Sequence, residues 1–169
     1  WSAGDAVTFT AGGLLTYTAT GVGDGDVTLT TPGAITVTAA SSIQGGGTVR
    51  LDAGTDLSAS GAITGGALVD LSAGTGAMTL AGTLGATGDV TANAGTTLTT
   101  TAAITAGGDV SMTAGGALSA TNSLDAGGTL TLDAGAGMDL AGTWSAGGAA
   151  SFTAEGLFSY GATGTAGGT

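Results

Sequence analysis

The 169-residue chain contains no cysteine, no histidine and no lysine, and Arg50 is its only basic residue. Without cysteine it forms no disulfide and offers no thiolate to a metal ion. Twelve acidic residues give a net charge of −11. This charge argues against nucleic-acid binding, which requires cations to neutralise phosphates, and against adsorption to an anionic membrane. Membrane insertion is not expected either, since no apolar run approaches the roughly 18 residues of a spanning helix.

Proline is also nearly absent, whereas glycine contributes 36 residues. The hydrophobic fraction of 42% with only 8% charged residues argues against disorder, because disordered chains combine low hydrophobicity with high charge. The glycines do not recur at every third position, which excludes collagen. With Pro32 as the only proline, almost every backbone N–H is free to donate a hydrogen bond.

Two columns of apolar residues recur along the whole chain at steps of 20 to 22 residues. The first column consists of Val7, Val27, Val49, Val69, Val90, Val110, Leu130 and Ala150. The second consists of Leu15, Ile35, Leu57, Met78, Leu98, Leu118, Met138 and Phe158. Because the two columns agree independently, the chain is a series of about eight repeats.

Within one repeat the apolar residues alternate with small polar ones. Val110 and Met112 are two residues apart, as are Leu118 and Ala120. A period of two predicts short β-strands, and Ala-Gly-Gly triplets between them predict tight corners. A unit of this size cannot bury its own apolar face, so stacking of units must bury it.

The sequence therefore predicts an all-β parallel solenoid of about eight coils, in which each strand pairs with its equivalent about 4.8 Å away. Eight coils at that spacing give a rod of roughly 35–40 Å. We expect residues 1–169 to form a single solenoid segment.

The sequence also has a second, longer repeat, which spans several of the short repeats. Residues 144–164 match residues 1–21 at 14 of 21 positions, at an offset of 143 residues or seven coils. Residues 165–169 begin a further coil. We therefore expect the segment to be an excerpt of a longer repeat array that continues in both directions.

The stretch from Ala106 to Leu118, AGGDVSMTAGGAL, carries a resemblance to a known family, as do Gly88–Ala92 and Ala126–Gly135. These units resemble the repeats of filamentous haemagglutinins and related two-partner-secretion exoproteins over essentially the whole chain. The resemblance implies a right-handed parallel β-helix that forms the shaft of a secreted bacterial adhesin, without enzymatic activity. It implies an extracellular or cell-surface location and, as partners, neighbouring solenoid segments, other copies of the chain, or host and cell-surface glycans.

Threonine pairs of the form T-x-T leave a second function open, because regular hydroxyl arrays on a flat solenoid face are typical of ice-binding proteins. In the residue column that follows the first anchor, Arg50 and Asp70 interrupt the hydroxyls, and Asp139 interrupts the column that follows the second. Hydroxyls on the solvent side of any strand are the simpler interpretation.

Aspartates near the glycine corners are the candidate metal ligands, with calcium as the only cofactor considered. Asp24 and Asp26 lie in a glycine-rich corner, and Asp89 and Asp109 occupy equivalent positions in neighbouring coils. Two carboxylates about 5 Å apart repel by roughly 1 kcal/mol in water, which a calcium ion would relieve. The alternative is that they are solubilising surface charges.

A polysaccharide-active enzyme is the third function considered. Asp52 and Asp70 are the candidate carboxylate pair, since two carboxylates alone can hydrolyse a glycoside. Arg50 lies near both in the predicted register, so a neutralising ion pair is the alternative.

Aromatic residues complete the set of candidates. Phe9, Tyr17, Phe152, Phe158 and Tyr160 follow the inward period and are predicted to stack in the core. Trp1 and Trp144 open equivalent coils, and packing is favoured over carbohydrate binding for both.

Overall fold

In the computed structural model the chain winds through three parallel β-sheets, called here faces A, B and C, and the structure describes residues 1–168. Coil 1 comprises strands β1–β3, coil 2 comprises β4–β6, and so on to coil 8, which comprises β22–β24; β25 begins a ninth coil. Within residues 1–168 no helix is long and apolar enough to cross a membrane.

Face A consists of β1 (Ser2–Ala3), β4 (Thr20–Gly23), β7 (Ser42–Gly45), β10 (Ala62–Gly65), β13 (Leu84–Ala86), β16 (Ile104–Ala106), β19 (Leu124–Ala126), β22 (Thr143–Ala146) and β25 (Thr163–Ala166). Face B consists of β2 (Val7–Thr10), β5 (Val27–Thr31), β8 (Val49–Ala53), β11 (Val69–Ala73), β14 (Val90–Ala94), β17 (Val110–Ala114), β20 (Leu130–Ala134) and β23 (Ala150–Ala154). Face C consists of β3 (Leu15–Tyr17), β6 (Ile35–Val37), β9 (Leu57–Ala59), β12 (Met78–Leu80), β15 (Leu98–Thr100), β18 (Leu118–Ala120), β21 (Met138–Leu140) and β24 (Phe158–Tyr160).

Every strand pairs in parallel with the strand of the same face in the neighbouring coil. The register places anchor on anchor, so that Val49 pairs with Val27 on one side and Val69 on the other. The parallel solenoid of about eight coils predicted from the sequence is therefore confirmed.

The core is a set of stacked inward columns, because alternate side chains of each strand point to the interior. Val49 and Leu51 are fully buried, whereas Arg50 between them is exposed. Face A supplies a third inward column, which was not predicted from the sequence. It consists of Trp1, Gly21, Ile43, Ile63, Leu84, Ile104, Leu124, Trp144 and Gly164.

The glycines at the corners serve a purpose other than unusual backbone angles. No glycine within the described residues has a positive φ. Instead, a Cβ built on Gly107 would collide with the carbonyl oxygen of Thr87, and one on Gly127 with the carbonyl oxygen of Gly107. Glycine is thus required at these two corners because successive coils approach each other too closely for a side chain between them.

Candidate functional site

The candidate carboxylate pair and Arg50 do meet, on the outer surface of face B. Strands β8 and β11 place Arg50 directly beside Asp70, and Asp52 follows two residues along β8 on the same side. Arg50 Nη1 lies 3.0 Å from Asp70 Oδ2, and Nη2 lies 3.4 Å from Asp52 Oδ2. The arginine side chain is 49% exposed.

This geometry favours an ion pair over a catalytic pair. Each carboxylate has an oxygen engaged by the same guanidinium, and the group lies on the outer surface of a sheet. Glycoside hydrolysis requires one carboxyl group to act as an acid and the other as a base or nucleophile, whereas here both carboxylates are ion-paired to the same arginine. The arrangement therefore balances the charge of two neighbouring aspartates.

Asp89 and Asp109, two of the candidate calcium ligands, occupy the corner between faces A and B. Asp89 Oδ1 accepts a hydrogen bond from the backbone N–H of Asp109 at 2.8 Å, and Asp109 Oδ1 accepts one from the N–H of Thr129 at 2.6 Å. The bond from the Thr129 backbone holds the pKa of Asp109 below its ordinary value. Each carboxylate thus binds the next coil.

The same contact recurs at other corners and always involves a glycine. Asp26 Oδ1 accepts from the N–H of Thr48 at 2.7 Å, and Asp56 Oδ1 accepts from the N–H of Ala77 at 2.8 Å. The residues that precede the four donors are glycines. They are Gly47, Gly76, Gly108 and Gly128, and a Cβ on any of them would collide with the aspartate oxygen. We call this aspartate–glycine contact the corner staple.

The corner staple gives three of the calcium candidates, Asp26, Asp89 and Asp109, a structural partner. Asp24 lies exposed at the same corner as Asp26. Within residues 1–168 no group of three or more acidic side chains comes together. Calcium takes six to eight oxygen ligands, so these aspartates provide only part of such a set.

The threonine columns face outward, as predicted. On face B the register stacks Thr28, Arg50 and Asp70, so the charged pair interrupts the hydroxyls. On face C one outward column carries only hydroxyl side chains through the first six coils, before Asp139. It consists of Thr16, Thr36, Ser58, Thr79, Thr99 and Ser119.

All seven aromatic residues lie in coils 1 and 8, and six of them form three matching pairs; Phe158 of coil 8 corresponds to Leu15. In coil 1 the ring centroids of Trp1 and Phe9 lie 5.6 Å apart, and Trp1 Nε1 donates to Tyr17 Oη at 3.0 Å. In coil 8 the Trp144 and Phe152 centroids lie 5.1 Å apart. Trp144 Nε1 likewise donates to the hydroxyl of Tyr160 at 3.0 Å. We call this arrangement the aromatic coil.

The aromatic coil requires a glycine in the coil that follows it. A Cβ on Gly21 would collide with the indole ring of Trp1 and the hydroxyl of Tyr17, and one on Gly164 would collide with the ring of Trp144. The indole thus extends into the volume that isoleucine or leucine fills elsewhere in this column. The signal for this pair is present in the sequence, since each tryptophan precedes a glycine by 20 residues.

The prediction of core stacks for the aromatics was wrong for two residues. Tyr17 is buried and burial raises its pKa, although the hydrogen bond from Trp1 opposes the shift. Phe158 and Tyr160 are 42% and 50% exposed. The reason is that no strand within residues 1–168 covers the free side of β24. The rings contact others of their own coil and do not form a column of rings from coil to coil.

Comparison with protein families identifies the haemagglutinin repeat over residues 2–84, 62–134, 85–156 and 125–169. The chain belongs to the haemagglutinin repeat family. This assignment confirms the resemblance drawn from the AGGDV-type units. No curated protein and no solved structure matches the chain. The family is a structural, adhesin-type family, and the solenoid of this member supports a repeat shaft.

Proposed function

We propose that this haemagglutinin repeat segment is a stiff spacer in the shaft of a secreted or surface-exposed bacterial adhesin. The observation that carries the proposal is the continuity of the three parallel ladders, each of which joins every coil of residues 1–168 to the next. Bending such a rod requires backbone hydrogen bonds on one face to lengthen, so the fold resists bending in all directions.

The outer surface supports a spacing function. It carries hydroxyl groups, acidic groups and a single arginine that is paired to two aspartates. A net charge of −11 keeps rods soluble and apart through mutual repulsion. The binding region of the adhesin then lies outside this segment. The direct partners of the segment are the neighbouring solenoid segments.

The experiment is to compare shape and binding in the same preparation. Small-angle X-ray scattering of the 169-residue chain should give a rod about 40 Å long, from eight coils at about 4.8 Å. The same protein, immobilised on beads, should neither agglutinate cells nor bind a glycan array. Saturable glycan binding would overturn the spacer role in favour of a receptor-binding segment, and a compact shape would overturn the rod.

Ice binding is a second candidate, favoured by the unbroken hydroxyl column of face C. Thr16 to Ser119 repeat at the strand spacing of about 4.8 Å through six coils, which forms a regular row of hydroxyls. The test is thermal hysteresis of the chain, with Thr79→Lys on face C compared with Ser72→Lys on face B. Hysteresis that only the face C variant abolishes would establish ice binding, and absence of hysteresis would remove it.

A further inference from the structure

Coils 1 and 8 share an inward tryptophan, phenylalanine and tyrosine that make the same contacts with each other. In both, a tryptophan contacts a phenylalanine and donates its N–H to a tyrosine hydroxyl at 3.0 Å, and in both a glycine of the next coil makes room for the indole. Coil 8 is therefore structurally a second copy of coil 1, seven coils along the rod.

Coil 8 shows how a coil of this kind docks onto coil 7. Trp144 pairs with Leu124 on face A, and Phe152 with Leu132 on face B. Beside the first pair, the hydroxyl of Ser145 contacts the carboxylate of Asp125. Coil 1 has the same residue as coil 8 at all three of these contact positions, namely Trp1, Ser2 and Phe9.

The positions that differ between the two coils do not disturb this interface. Only two of the seven face inward: Val7 is Ala150 in coil 8, and Leu15 is Phe158. Compared with coil 8, coil 1 has a larger side chain at the first of these positions and a smaller one at the second. A coil 1 sequence therefore fills a similar total volume against Leu130 and Met138 of coil 7. The other five are exposed or corner residues.

We propose that residues 1–143 form a seven-coil module, and that coil 8 is the first coil of the following module, so that the surface of coil 7 is built to receive a coil 1 sequence. The proposal rests on the shaft function and names its repeating unit. Thr143 is the joint, because Trp144 takes the place of Trp1. The aromatic coil then recurs about every 34 Å, from seven coils at about 4.8 Å.

The main experiment is a tandem protein in which residues 1–143 are followed directly by residues 1–169. We expect scattering to show one straight rod, longer than the single chain by about 34 Å. Backbone amides at the junction should exchange with deuterium as slowly as those of coils 3 and 4. The matched control joins the first copy after Ala134 and so omits β21, which places face A where face C belongs.

The control tandem should scatter as two bodies, with rapid exchange at its junction. An in-phase tandem that gains no length, or whose junction exchanges as fast as that of the control, would overturn the module.

A second variant keeps the length of 169 residues and tests the equivalence of coils 1 and 8 if the tandem protein is insoluble. It converts coil 8 into the sequence of coil 1 by seven substitutions: Gly148→Asp, Ala150→Val, Ser151→Thr, Glu155→Gly, Phe158→Leu, Ser159→Thr and Gly161→Thr. We expect unchanged exchange protection in residues 124–166. Loss of protection in β22–β24 would overturn the equivalence of the two coils.

Failure of the module and failure of the shaft function give different results. If the single chain is a rod but the in-phase tandem is two bodies, only the module is overturned. If the single chain itself is not a rod, the shaft function is overturned first.

Discussion

The indole ring of Trp1 occupies the volume next to the Cα of Gly21, where any Cβ would collide with it. Residues 20 positions apart thus share one layer of the core, and the same relationship joins Trp144 to Gly164. At these two places a large side chain in one coil is matched by the missing side chain of a glycine in the next coil.

Gly21→Ala should therefore destabilise the chain by about 1–3 kcal/mol, as overpacking of a filled core does. Chemical denaturation monitored by tryptophan fluorescence and circular dichroism measures the loss. Gly85→Ala is the matched control, because a Cβ on Gly85 meets no atom within 4 Å, and it should change stability by less than about 0.5 kcal/mol.

A double-mutant cycle that combines Gly21→Ala with Trp1→Ala isolates the contact. Trp1→Ala removes the ring that the added methyl group would strike, so the loss in the double variant should be smaller than the sum of the two single losses. Additive losses, or equal effects of Gly21→Ala and Gly85→Ala, would contradict the packing of Trp1 over Gly21.

Leu71→Ala should cost about 2–5 kcal/mol, because Leu71 is fully buried in the middle of the rod between Leu51 and Ala92. Its neighbour Ser72 points outward, and Ser72→Ala should cost less than about 0.5 kcal/mol. Thermal unfolding of both variants measures the difference. Similar losses would show that the assignment of inward and outward positions on face B is wrong.

Acid should weaken the corner staple of Asp109. Its pKa is lowered in the folded chain by the hydrogen bond from Thr129, so folding favours the charged form. The resulting stability is present above the pKa of the unfolded state and is lost as the pH falls through the lower folded-state pKa. The melting temperature of Asp109→Asn should therefore fall less steeply with acid than that of the wild type.

The matched control for this pH profile is Asp133→Asn, on the outer side of β20. In this variant the hydrogen bond between Asp109 and the Thr129 amide should respond to pH as it does in the wild type. An NMR titration of the Thr129 amide measures that response. Identical profiles for Asp109→Asn and the wild type would argue against the staple.

Trypsin should not cleave the folded chain. Arg50 is its only cleavage residue, and it lies within β8, with both neighbouring strands paired and its guanidinium bound to two aspartates. Cleavage in denaturant should yield two fragments, residues 1–50 and 51–169. Mass spectrometry after limited digestion measures this, and rapid cleavage under native conditions would show that coil 3 opens locally.

Calcium should raise the melting temperature no more than magnesium does at equal ionic strength. Asp89 and Asp109 each commit one oxygen to a backbone N–H, and within residues 1–168 no third acidic side chain joins them. Calorimetric titration tests this with the Asp89→Asn/Asp109→Asn variant as the control. Saturable calcium binding that this variant loses would instead establish a metal site.

Much of the fold could be predicted from local sequence pattern. The columns through Val49 and Leu57 follow from alternation and from the repeat length, both of which are visible in one dimension. The ion pair of Arg50 with Asp70 followed from the same register. Wherever the period alone fixes which residues are neighbours, the prediction was right.

The predictions failed where the outcome depended on contact distance. Phe158 and Tyr160 have the inward period, yet they are exposed because no strand within residues 1–168 follows β24 on face C, whereas Tyr17 of coil 1 leans onto Gly21 of the next coil and is buried. The Ala-Gly-Gly triplets do lie at corners, as predicted, but Gly107 is needed there because the carbonyl of Thr87 lies against it. The repeat period predicts which residues are neighbours, but it does not predict how closely two coils approach each other.

The sequence by itself determined the period of about 20 residues, the inward columns of faces B and C and the equivalence of coils 1 and 8, because strand alternation and repetition are properties of residue order. Only the tertiary structure decided that Trp1 fills the space at Gly21 and that Asp109 binds the amide of Thr129. Those contacts join residues a full coil apart, and they form only when closed coils stack at the spacing set by backbone hydrogen bonds.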